Sequence, residues 1–495
     1  MAPAEVGAED AGTRVQPRGQ RRRAARYEGP TPLLNPALPE LLEEAGFSRR
    51  HALLVWTYLM QHPSASDVAS LPTLPKALRQ VLAERFTAAT ASVGSRGRSP
   101  DGTVKLLVKL WDGAEVEAVV INHGGEGDFD TCERKRMRPG ATLCLSSQVG
   151  CRMGCQFCAT ATLGLSRSLQ AWEILEQLRL ARAAVREDIS KIVFMGMGEP
   201  LDNFGAVVAA ARLLSLEKDV FCLGARPVTL STVGAVPRSI SRLVDAGLAG
   251  HVRLALSLHA PTQVLREEIV PSAKSVAIDD LMAELDTFWE AAQAVSKRAR
   301  DEKVLVEYCL LAGVNDSDEC AHELGRLLRP RRDSVFVNVI PYNPVPGKPY
   351  KSPSDEVTFN FVGLLRREYG VRGHGRRQLG ATIGAACGQL AKISAAKGGS
   401  DLEESVAAAA RACESMDFQA AIACAREESE PWCSHLLPSR WLAQRRSCFS
   451  ALFLSAGLAM AAVLAARLPV FSARGEGLTA LFLGAGLSSR RRGAG

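Results

Sequence analysis

The stretch Cys151-Arg-Met-Gly-Cys155-Gln-Phe-Cys158 places three cysteines on one short loop. The spacing C-x3-C-x2-C allows three thiolates to share one metal centre. Thiolates hold iron–sulfur clusters, and a four-iron cubane normally takes four of them. Three thiolates leave one iron open for chemistry, as the open position of a catalytic zinc ion does. The loop therefore predicts an iron–sulfur cluster. A structural zinc site is the alternative, although zinc usually takes a fourth ligand and paired spacings.

The sequence that follows this loop alternates between apolar runs and amphipathic stretches. Such alternation predicts βαβ units and a parallel sheet. With the run just before the loop, six apolar runs cover residues 141–147, 191–196, 227–231, 252–258, 303–310 and 335–340. Six units are fewer than a closed eight-stranded barrel needs. We therefore predict an α/β fold, a partial (β/α)6 barrel, with its active site at the carboxyl ends of the strands.

Polar motifs stand where several of these strands end. They are Gly196-Met-Gly-Glu-Pro200 after the second strand, Ser231-Thr232 at the third, Ser257-Leu-His259 at the fourth and Pro341-Tyr-Asn343 at the sixth. Turn chemistry explains any one of them, but it explains poorly why so many share one rim. Their placement predicts a polar site beside the cysteine loop.

The remaining sequence divides into four segments. We predict a disordered extension over 1–37, a small helical domain with a β-hairpin over 38–122, and a charged, Gly-rich loop over 122–140. The hairpin prediction rests on Asp112-Gly113 between two apolar runs. The barrel core covers 141–395. A helix-prone tail covers 396–495, and its uncharged segment 447–466 is long enough for a membrane helix, although its many alanines favour the alternative of a packed or poorly ordered helix.

Composition indicates a globular protein with scattered basic clusters. The chain has 495 residues, is 47% hydrophobic and carries a net charge of +7. Clusters such as Arg21-Arg-Arg23 can bind phosphate backbones, although most charge runs are only solvated faces. Thirteen cysteines without a secretory signal favour a reducing compartment. We expect a cytoplasmic location, or an organelle if the arginine-bearing first thirty residues act as a transit peptide.

The motifs resemble those of the RlmN family within the radical S-adenosylmethionine (SAM) superfamily. The runs that carry the resemblance are Ala141-Thr-Leu-Cys-Leu-Ser-Ser-Gln-Val-Gly-Cys151, Met195-Gly-Met-Gly-Glu-Pro200, Ser257-Leu-His-Ala260 and Ala385-Ala-Cys-Gly-Gln-Leu390. The resemblance covers roughly residues 38–395. It implies methylation of carbon 2 of adenine in large-subunit rRNA and in tRNA. The small helical domain would then bind RNA.

The resemblance also implies a role for each matching residue. Cys151, Cys155 and Cys158 would hold a [4Fe–4S] cluster whose fourth iron binds SAM. The positions that match SAM contacts are Gly198, Glu199, Ser231, Ser257, Leu258, His259 and Asn343. Cys387 would carry a methyl group from one SAM, and a radical made from a second SAM would activate that methyl group for addition to adenine. Glu117 would accept the proton from carbon 2, and Cys144 would release the product by forming a disulfide with Cys387.

Three points stay open at the level of the sequence. The family usually has acidic residues just before the matching cysteine, whereas this chain has Ala381, Thr382 and Gly384, so the anchor of this loop is undetermined. Methylation of carbon 8 of adenine by the same cysteines is the alternative activity. An iron–sulfur electron carrier, a protein of another functional class, is the third possibility.

The expected partners are rRNA and possibly tRNA, an electron donor such as a flavodoxin or ferredoxin, and, through the tail only, a membrane.

Overall fold

A ten-stranded mixed sheet organises the part of the chain that the structure, a computed structural model, describes. The described residues are 27–68, 71, 73–123, 140–295, 303–376 and 379–390. The predictions for residues 1–26, for the loop over 124–139 and for the tail from 391, including 447–466, lie outside them. Within the described residues, no helix is both long and apolar enough to cross a membrane.

A small helical layer comes first along the chain. Its elements are β1 (Thr31–Pro32), α1 (Leu38–Glu44), α2 (Arg50–Gln61), α3 (Lys76–Arg85) and β2 (Phe86–Thr87). Residues 27–37, which we predicted to be the end of a disordered extension, pack here instead: Leu33 and Leu34 are buried, and the Tyr27 ring lies 5.3 Å from that of Trp111. This part of the prediction is wrong because a few apolar side chains suffice to fix a short segment on an existing core.

Three antiparallel strands follow, namely β3 (Ser92–Arg98), β4 (Val104–Lys109) and β5 (Glu115–Asn122). The β4–β5 hairpin lies where it was predicted, with Gly113 at φ +79° and Asp112 accepting a hydrogen bond from the Ala114 amide at 3.0 Å. β5 also pairs with the first barrel strand. The hairpin is therefore continuous with the core sheet rather than a separate layer.

The barrel region supplies the other strands of the sheet, a separate antiparallel pair of short strands and the helices that cover the sheet. Its elements are β6 (Ala141–Cys144), β7 (Gln148–Gly150), β8 (Leu165–Ser168), α4 (Ala171–Ala184), β9 (Ile189–Phe194), α5 (Phe204–Leu216), β10 (Val228–Thr232), α6 (Ser239–Asp245), β11 (Arg253–Ser257), α7 (Gln263–Ile269), α8 (Ile278–Val295), β12 (Val304–Leu310), α9 (Asp318–Leu328), β13 (Val335–Pro341), α10 (Asp355–Tyr369) and β14 (Gly373–Gly375).

The strand order of the large sheet is β14-β13-β12-β11-β10-β9-β6-β5-β4-β3. The pairings from β6 through β9 to β14 are all parallel. The six predicted strands are confirmed, and β14 is a short addition that pairs with β13. Every residue of β6 and β10 is buried, as expected for parallel strands covered on both faces. Because all seven strands run the same way, their carboxyl ends meet along one rim.

Candidate active site

One cleft opens at the carboxyl ends of the parallel strands. It encloses about 950 Å³ including its solvent-open mouth, and residues that follow β7, β9, β10, β11 and β13 line it. Cys151, Cys155, Cys158 and Cys387 all belong to its wall. The predicted rim is therefore where the structure places the cysteine loop and most of the polar motifs.

The cysteine loop lies against the wall of this cleft. Burial raises the pKa of Cys151 to about 12, helped by the nearby carboxyl of Glu199 and the thiol of Cys158. Burial also raises the pKa of Cys155 well above its usual value, and both neighbouring cysteines add to this effect. These couplings place the three sulfurs close together. A bound metal removes the penalty because it deprotonates a coordinating thiol.

A buried arginine completes the environment of the cysteine loop. Arg266 of α7 is fully buried and donates to the carbonyl of Val233, while its Nε and Nη1 lack a hydrogen-bond partner among the described residues. Burial lowers its pKa to about 10, and the charge of Cys155 opposes that shift. An anionic cluster held by thiolates fits beside such a guanidinium, since it would balance the buried positive charge.

The three cysteines are to be judged by the way in which a cluster takes its ligands. In the part of the chain that the structure describes, no three Cys, His, Asp or Glu side chains converge on one position suited to a metal ion. A multi-iron cluster takes each thiolate on a different iron, so its ligands need not converge on one point. Three thiolates on one loop suit such a cluster.

The turn after β9 depends on glycine. A Cβ on Gly198, whose φ is +100°, would lie 2.6 Å from the Gln148 Cβ, and one on Gly196 would lie 2.5 Å from the Leu145 carbonyl oxygen. The Gln148 side chain accepts a hydrogen bond from the Glu199 amide at 2.9 Å. The Gly-Met-Gly-Glu-Pro motif therefore allows this turn to approach the strand segment before the cysteine loop.

Glu199 is a buried carboxyl group at the cleft wall. It accepts hydrogen bonds from the amides of Leu201 at 3.1 Å and Val233 at 3.0 Å. Burial raises its pKa to about 7, although Thr232 and these two amides favour the charged form. A carboxyl group that titrates near neutrality can hold a cationic ligand such as an amino group.

The ends of β10 and β11 contribute hydroxyl and imidazole groups. The Ser231 and Ser257 hydroxyls lie 3.2 Å apart, and both residues line the cleft. His259, at φ +63°, accepts a hydrogen bond on Nδ1 from the Cys309 amide at 3.0 Å. Burial lowers its pKa to about 3, with a contribution from Arg266. A neutral His259 therefore carries its proton on Nε2 as a donor.

Two predicted contact residues lie behind the described lining of the cleft. Leu258 is fully buried, and its amide donates to the Glu307 carbonyl at 3.0 Å. Asn343 donates from Nδ2 to the Cys387 carbonyl at 3.2 Å, while its buried Oδ1 lacks a hydrogen-bond partner among the described residues. Asn343 therefore supports the cysteine that overhangs the cleft.

Cys387 lies on a segment, residues 379–390, that we call the Cys387 loop. Cys387 is exposed and belongs to the cleft wall. The loop docks on the cysteine loop through a 2.8 Å hydrogen bond from the Ala159 amide to the Gly388 carbonyl. Gln389 also donates to the Pro344 carbonyl at 2.9 Å. The loop thus brings Cys387 to the same cleft as the three cysteines of the cysteine loop.

Cys144 and Glu117 lie behind this wall on adjacent strands. Val119 pairs with Cys144, and alternate residues of a strand share a face, so Glu117 and Cys144 point to the same side. Burial raises the pKa of Cys144 to about 12, and the charge of Cys387 adds to this. Glu117 is buried and forms an ion pair with Lys105 at 3.1 Å. The structure thus places Cys144 within electrostatic reach of Cys387, and Glu117 on the same face of the sheet as Cys144.

The sequence analysis missed a polar network at the same place. Glu307 of β12 is buried, lines the cleft, accepts from Asn338 at 2.8 Å and faces Arg376 at 3.6 Å. Burial raises the pKa of Glu307, although Arg376 opposes it. The charge of Cys387 is the main cause that raises the pKa of Arg376. A lone acidic residue inside the apolar run 303–310 was the signal available in the sequence.

The fold and this site define a radical SAM enzyme. Comparison with known families agrees, because the radical SAM superfamily profile matches residues 145–324. A crystal structure of a radical SAM methyltransferase from Sphaerobacter thermophilus is 36% identical, with a TM-score of 0.61, and covers 73% of this chain and 99% of its own. The protein uses SAM and a [4Fe–4S] cluster.

Curated relatives narrow the class to one family. A probable dual-specificity RNA methyltransferase RlmN from Rhodopirellula baltica is 40% identical over 72% of this chain and 90% of its own length. The ribosomal RNA large subunit methyltransferase N of Nitrosopumilus maritimus is 37% identical over 72% of this chain and 97% of its own. The chain belongs to the RlmN family of SAM-dependent RNA methyltransferases.

Proposed function

We propose that this enzyme methylates carbon 2 of adenine in large-subunit rRNA and in tRNA, with Cys387 as the methyl carrier. The observation that carries the proposal is the nearness of two cysteines: Cys387 belongs to the wall of the cleft, and Cys144 is buried behind that wall, close enough for the charge of Cys387 to act on its thiol. An iron–sulfur electron carrier needs no such pair. The names of the relatives, dual-specificity and large-subunit ribosomal RNA methyltransferases, supply the substrate class.

Cys151, Cys155 and Cys158 would hold the [4Fe–4S] cluster, and the strand-end motifs would hold SAM. Glu199 and the paired hydroxyls of Ser231 and Ser257 suit the polar amino-acid part of SAM, while the neutral His259 offers an Nε2–H donor. Gly198, Leu258 and Asn343 would act by shaping the cleft and by supporting the Cys387 loop. Bound together, the cluster and SAM supply a transferable methyl group and a carbon-centred radical.

Cys387 and Cys144 would divide the methyl chemistry between them. Cys387 is exposed to the cleft, so its sulfur is placed to accept a methyl group and then to join it to the base. Burial keeps Cys144 protonated, so its thiol is a poor nucleophile and would not react before the adduct forms. Its sulfur would then bond to the Cys387 sulfur, releasing the methylated base, and an external thiol would return the disulfide to two thiols.

Glu117 would accept the proton lost from carbon 2. Its carboxylate is buried and held by Lys105, and it shares a strand face with Cys144. The structure places Glu117 behind the lining of the cleft, so the adenine must enter deeply or the Cys387 loop must shift. Extruding a base from an RNA stem costs a few kcal/mol and less from a loop. We propose that the helical layer before the barrel grips the surrounding RNA.

Two parts of the proposal concern partners and location. An electron donor such as a flavodoxin or ferredoxin would reduce the cluster, because radical formation consumes an electron. We propose that the enzyme works in the cytoplasm, or in an organelle of a eukaryotic source. Membrane association rests on residues 447–466 alone, and removing the tail from Trp441 onward followed by cell fractionation would test it.

The decisive test uses Cys144→Ala. Without the resolving thiol, we expect protein covalently joined to RNA to accumulate, visible as a shifted band that nuclease digestion trims. Adding Cys387→Ala should abolish the adduct. Cys222→Ala changes an exposed cysteine outside the cleft lining, so it should accumulate none. An adduct that persists without Cys387 would overturn the assignment of the methyl carrier.

The position of methylation needs a separate measurement. Mass spectrometry of nucleosides from RNA treated with wild-type enzyme separates 2-methyladenosine from 8-methyladenosine. We expect the carbon 2 isomer, and the carbon 8 isomer would show the alternative activity on the same cysteines.

A further inference from the structure

We propose that the turn between β3 and β4, through Asp101 and Lys105, is the clamp that positions the Cys387 loop over the cleft. We call residues 99–105 the clamp turn. The role of Cys387 itself rests on the proposed function, but the clamp is a separate claim about structure. The clamp explains how the loop is anchored although its residues Ala381, Thr382 and Gly384 carry no charge.

Asp101 joins the clamp turn to the start of the Cys387 loop. Its Oδ2 accepts a hydrogen bond from the Gly380 amide at 2.7 Å across 279 residues of sequence. Its Oδ1 accepts from the Thr103 amide at 2.8 Å and from the Ser99 hydroxyl. One carboxylate oxygen therefore shapes the turn while the other holds the loop. Charge-assisted hydrogen bonds of this kind are stronger than neutral ones.

The surfaces of the two segments also fit closely. Gly380 has φ +71°, and a Cβ there would lie 3.0 Å from the Thr103 Cγ2. A Cβ on Gly97 of β3 would lie 4.0 Å from the Ile383 side chain. Glycine at position 380 is needed both for the backbone conformation and for contact with the clamp turn. The contact is therefore a packed surface rather than one hydrogen bond.

Lys105 links the same loop to the candidate proton acceptor. Its Nζ donates to the Gly384 carbonyl at 3.3 Å and forms the 3.1 Å ion pair with Glu117. The side chain is 15% exposed, so water screens these contacts little. One ammonium group thus ties the Cys387 loop to the Glu117 carboxylate. Asp101 and Lys105 are positioning residues, since each acts through Cys387 or Glu117.

The first test is hydrogen exchange in the full-length holoenzyme carrying Asp101→Asn. The hydrogen bonds from the Ser99 hydroxyl and the Thr103 amide keep the side-chain oxygen of the new asparagine at the Oδ1 position. Its side-chain NH2 group then replaces Oδ2, so the Gly380 amide loses its acceptor. We expect peptides within 379–390 to exchange about tenfold faster, as for loss of a hydrogen bond to a charged group. Peptides of β4 and β12 should be unchanged.

Asp112→Asn is the matched control. Asp112 is also a hairpin-turn carboxylate, with one oxygen on its own turn and the other on Arg167 at 2.7 Å. It does not contact the Cys387 loop among the described residues. Exchange over 379–390 should match wild type in this variant. Equal exchange in Asp101→Asn and wild type would overturn the role of Asp101.

The second test measures the Cys144–Cys387 disulfide by anaerobic titration with glutathione. If the clamp places Cys387 near Cys144, Asp101→Asn and Lys105→Met should each lower the equilibrium constant about tenfold, or about 30 mV. Lys105→Arg should restore most of it. An unchanged constant in both variants would overturn the clamp. The two proposals can fail separately. If the Cys387 loop exchanges faster in Asp101→Asn but the wild-type holoenzyme methylates no RNA, the clamp is supported and the proposed function is wrong.

Discussion

Burial controls the titration of the groups around the cleft. Near pH 7, Cys144 and His259 are neutral and Glu199 is only partly ionised, because burial disfavours the charged form of acids and bases alike. The cleft is therefore poor in fixed charge apart from Arg266, Arg376 and their partners. A cationic ligand and an anionic cluster would become the main local charges when they bind.

Glu199 yields a pH prediction at the scale of one residue. Its pKa is 4.5 in the unfolded chain and about 7 when folded. The neutral carboxyl favours the folded state fully below pH 4.5, and this contribution is lost as pH rises through 7. Glutamine at position 199 does not ionise, so the stability of Glu199→Gln does not fall over this pH range for this reason. We expect the melting temperature of Glu199→Gln, relative to wild type, to increase between pH 5 and pH 7 and then to level off towards pH 8.

Asp112→Asn serves as the control for this pH series. Burial alone would raise the pKa of Asp112, but the hydrogen bonds from Arg167 and the Ala114 amide outweigh it and lower the pKa below 3.8. Asp112 is thus ionised throughout the range from pH 5 to pH 8. The difference in melting temperature for this variant should be constant. A constant difference for Glu199→Gln as well would show that Glu199 does not titrate there.

Single residues also show which parts of the site could be predicted from the sequence. Cysteine spacing predicted the shared cleft wall because its information is local. The contact between Asp101 and Gly380 has no local signal, since its two residues are 279 positions apart. Glu307 lies between these cases: an acidic residue in an otherwise apolar strand marks a buried charge, but its partner Arg376, which follows β14, is visible only once β13 pairs with both β12 and β14.

At the scale of elements, apolar runs predicted six central parallel strands, of which β6 and β10 are buried throughout. The two edge strands lacked such runs. β3, Ser92–Arg98, contains two glycines and alternates between exposed and half-buried residues, and β14 has only the residues Gly-His-Gly. Both exist because a neighbouring strand offers free backbone groups. Tertiary pairing, rather than strand propensity, creates these edges.

The turn after β9 gives a prediction at this scale. Gly198→Ala would place a methyl group 2.6 Å from the Gln148 Cβ and force alanine to φ +100°. A non-glycine residue in such a strained conformation costs about 1–3 kcal/mol, and the clash adds to this. We expect SAM affinity, measured by equilibrium binding to the reconstituted enzyme, to fall at least about tenfold.

Gly205→Ala is the matched variant a few residues further along. Gly205 begins the first turn of α5, and a Cβ there meets nothing within 4 Å. Alanine should be neutral or stabilising by up to about 1 kcal/mol in a helix. SAM affinity should match wild type. Equal affinity in Gly198→Ala would show that the turn does not shape the SAM site.

At the scale of the whole described chain, the helical layer and the barrel share one core. The antiparallel strands extend the barrel sheet, and the helical layer contacts α4 and its surroundings. Arg179 donates to the Pro63 carbonyl at 2.7 Å, and Glu176 accepts from the Thr90 amide at 2.8 Å. The accessory segment therefore shares a packed core with the barrel region, and we expect the two to unfold together. This connection would transmit the grip on RNA to the clamp turn and the Cys387 loop.

Trp56 tests whether the layers unfold together. It is buried in α2, donates from Nε1 to the Leu33 carbonyl at 2.8 Å and lies 6.1 Å, between ring centres, from Phe221 of the barrel region. Trp56→Ala should cost about 3–5 kcal/mol. In denaturant titrations, the midpoints measured by cluster absorbance and by circular dichroism should both fall by the same amount, as they do for one cooperative transition.

Leu54→Ala, on the exposed side of the same helix, is the control and should change the free energy of unfolding by less than about 0.5 kcal/mol. If Trp56→Ala unfolds helices at low denaturant while the cluster absorbance keeps its wild-type midpoint, the helical layer is an independent unit, and RNA binding there cannot act on the cleft through a shared core.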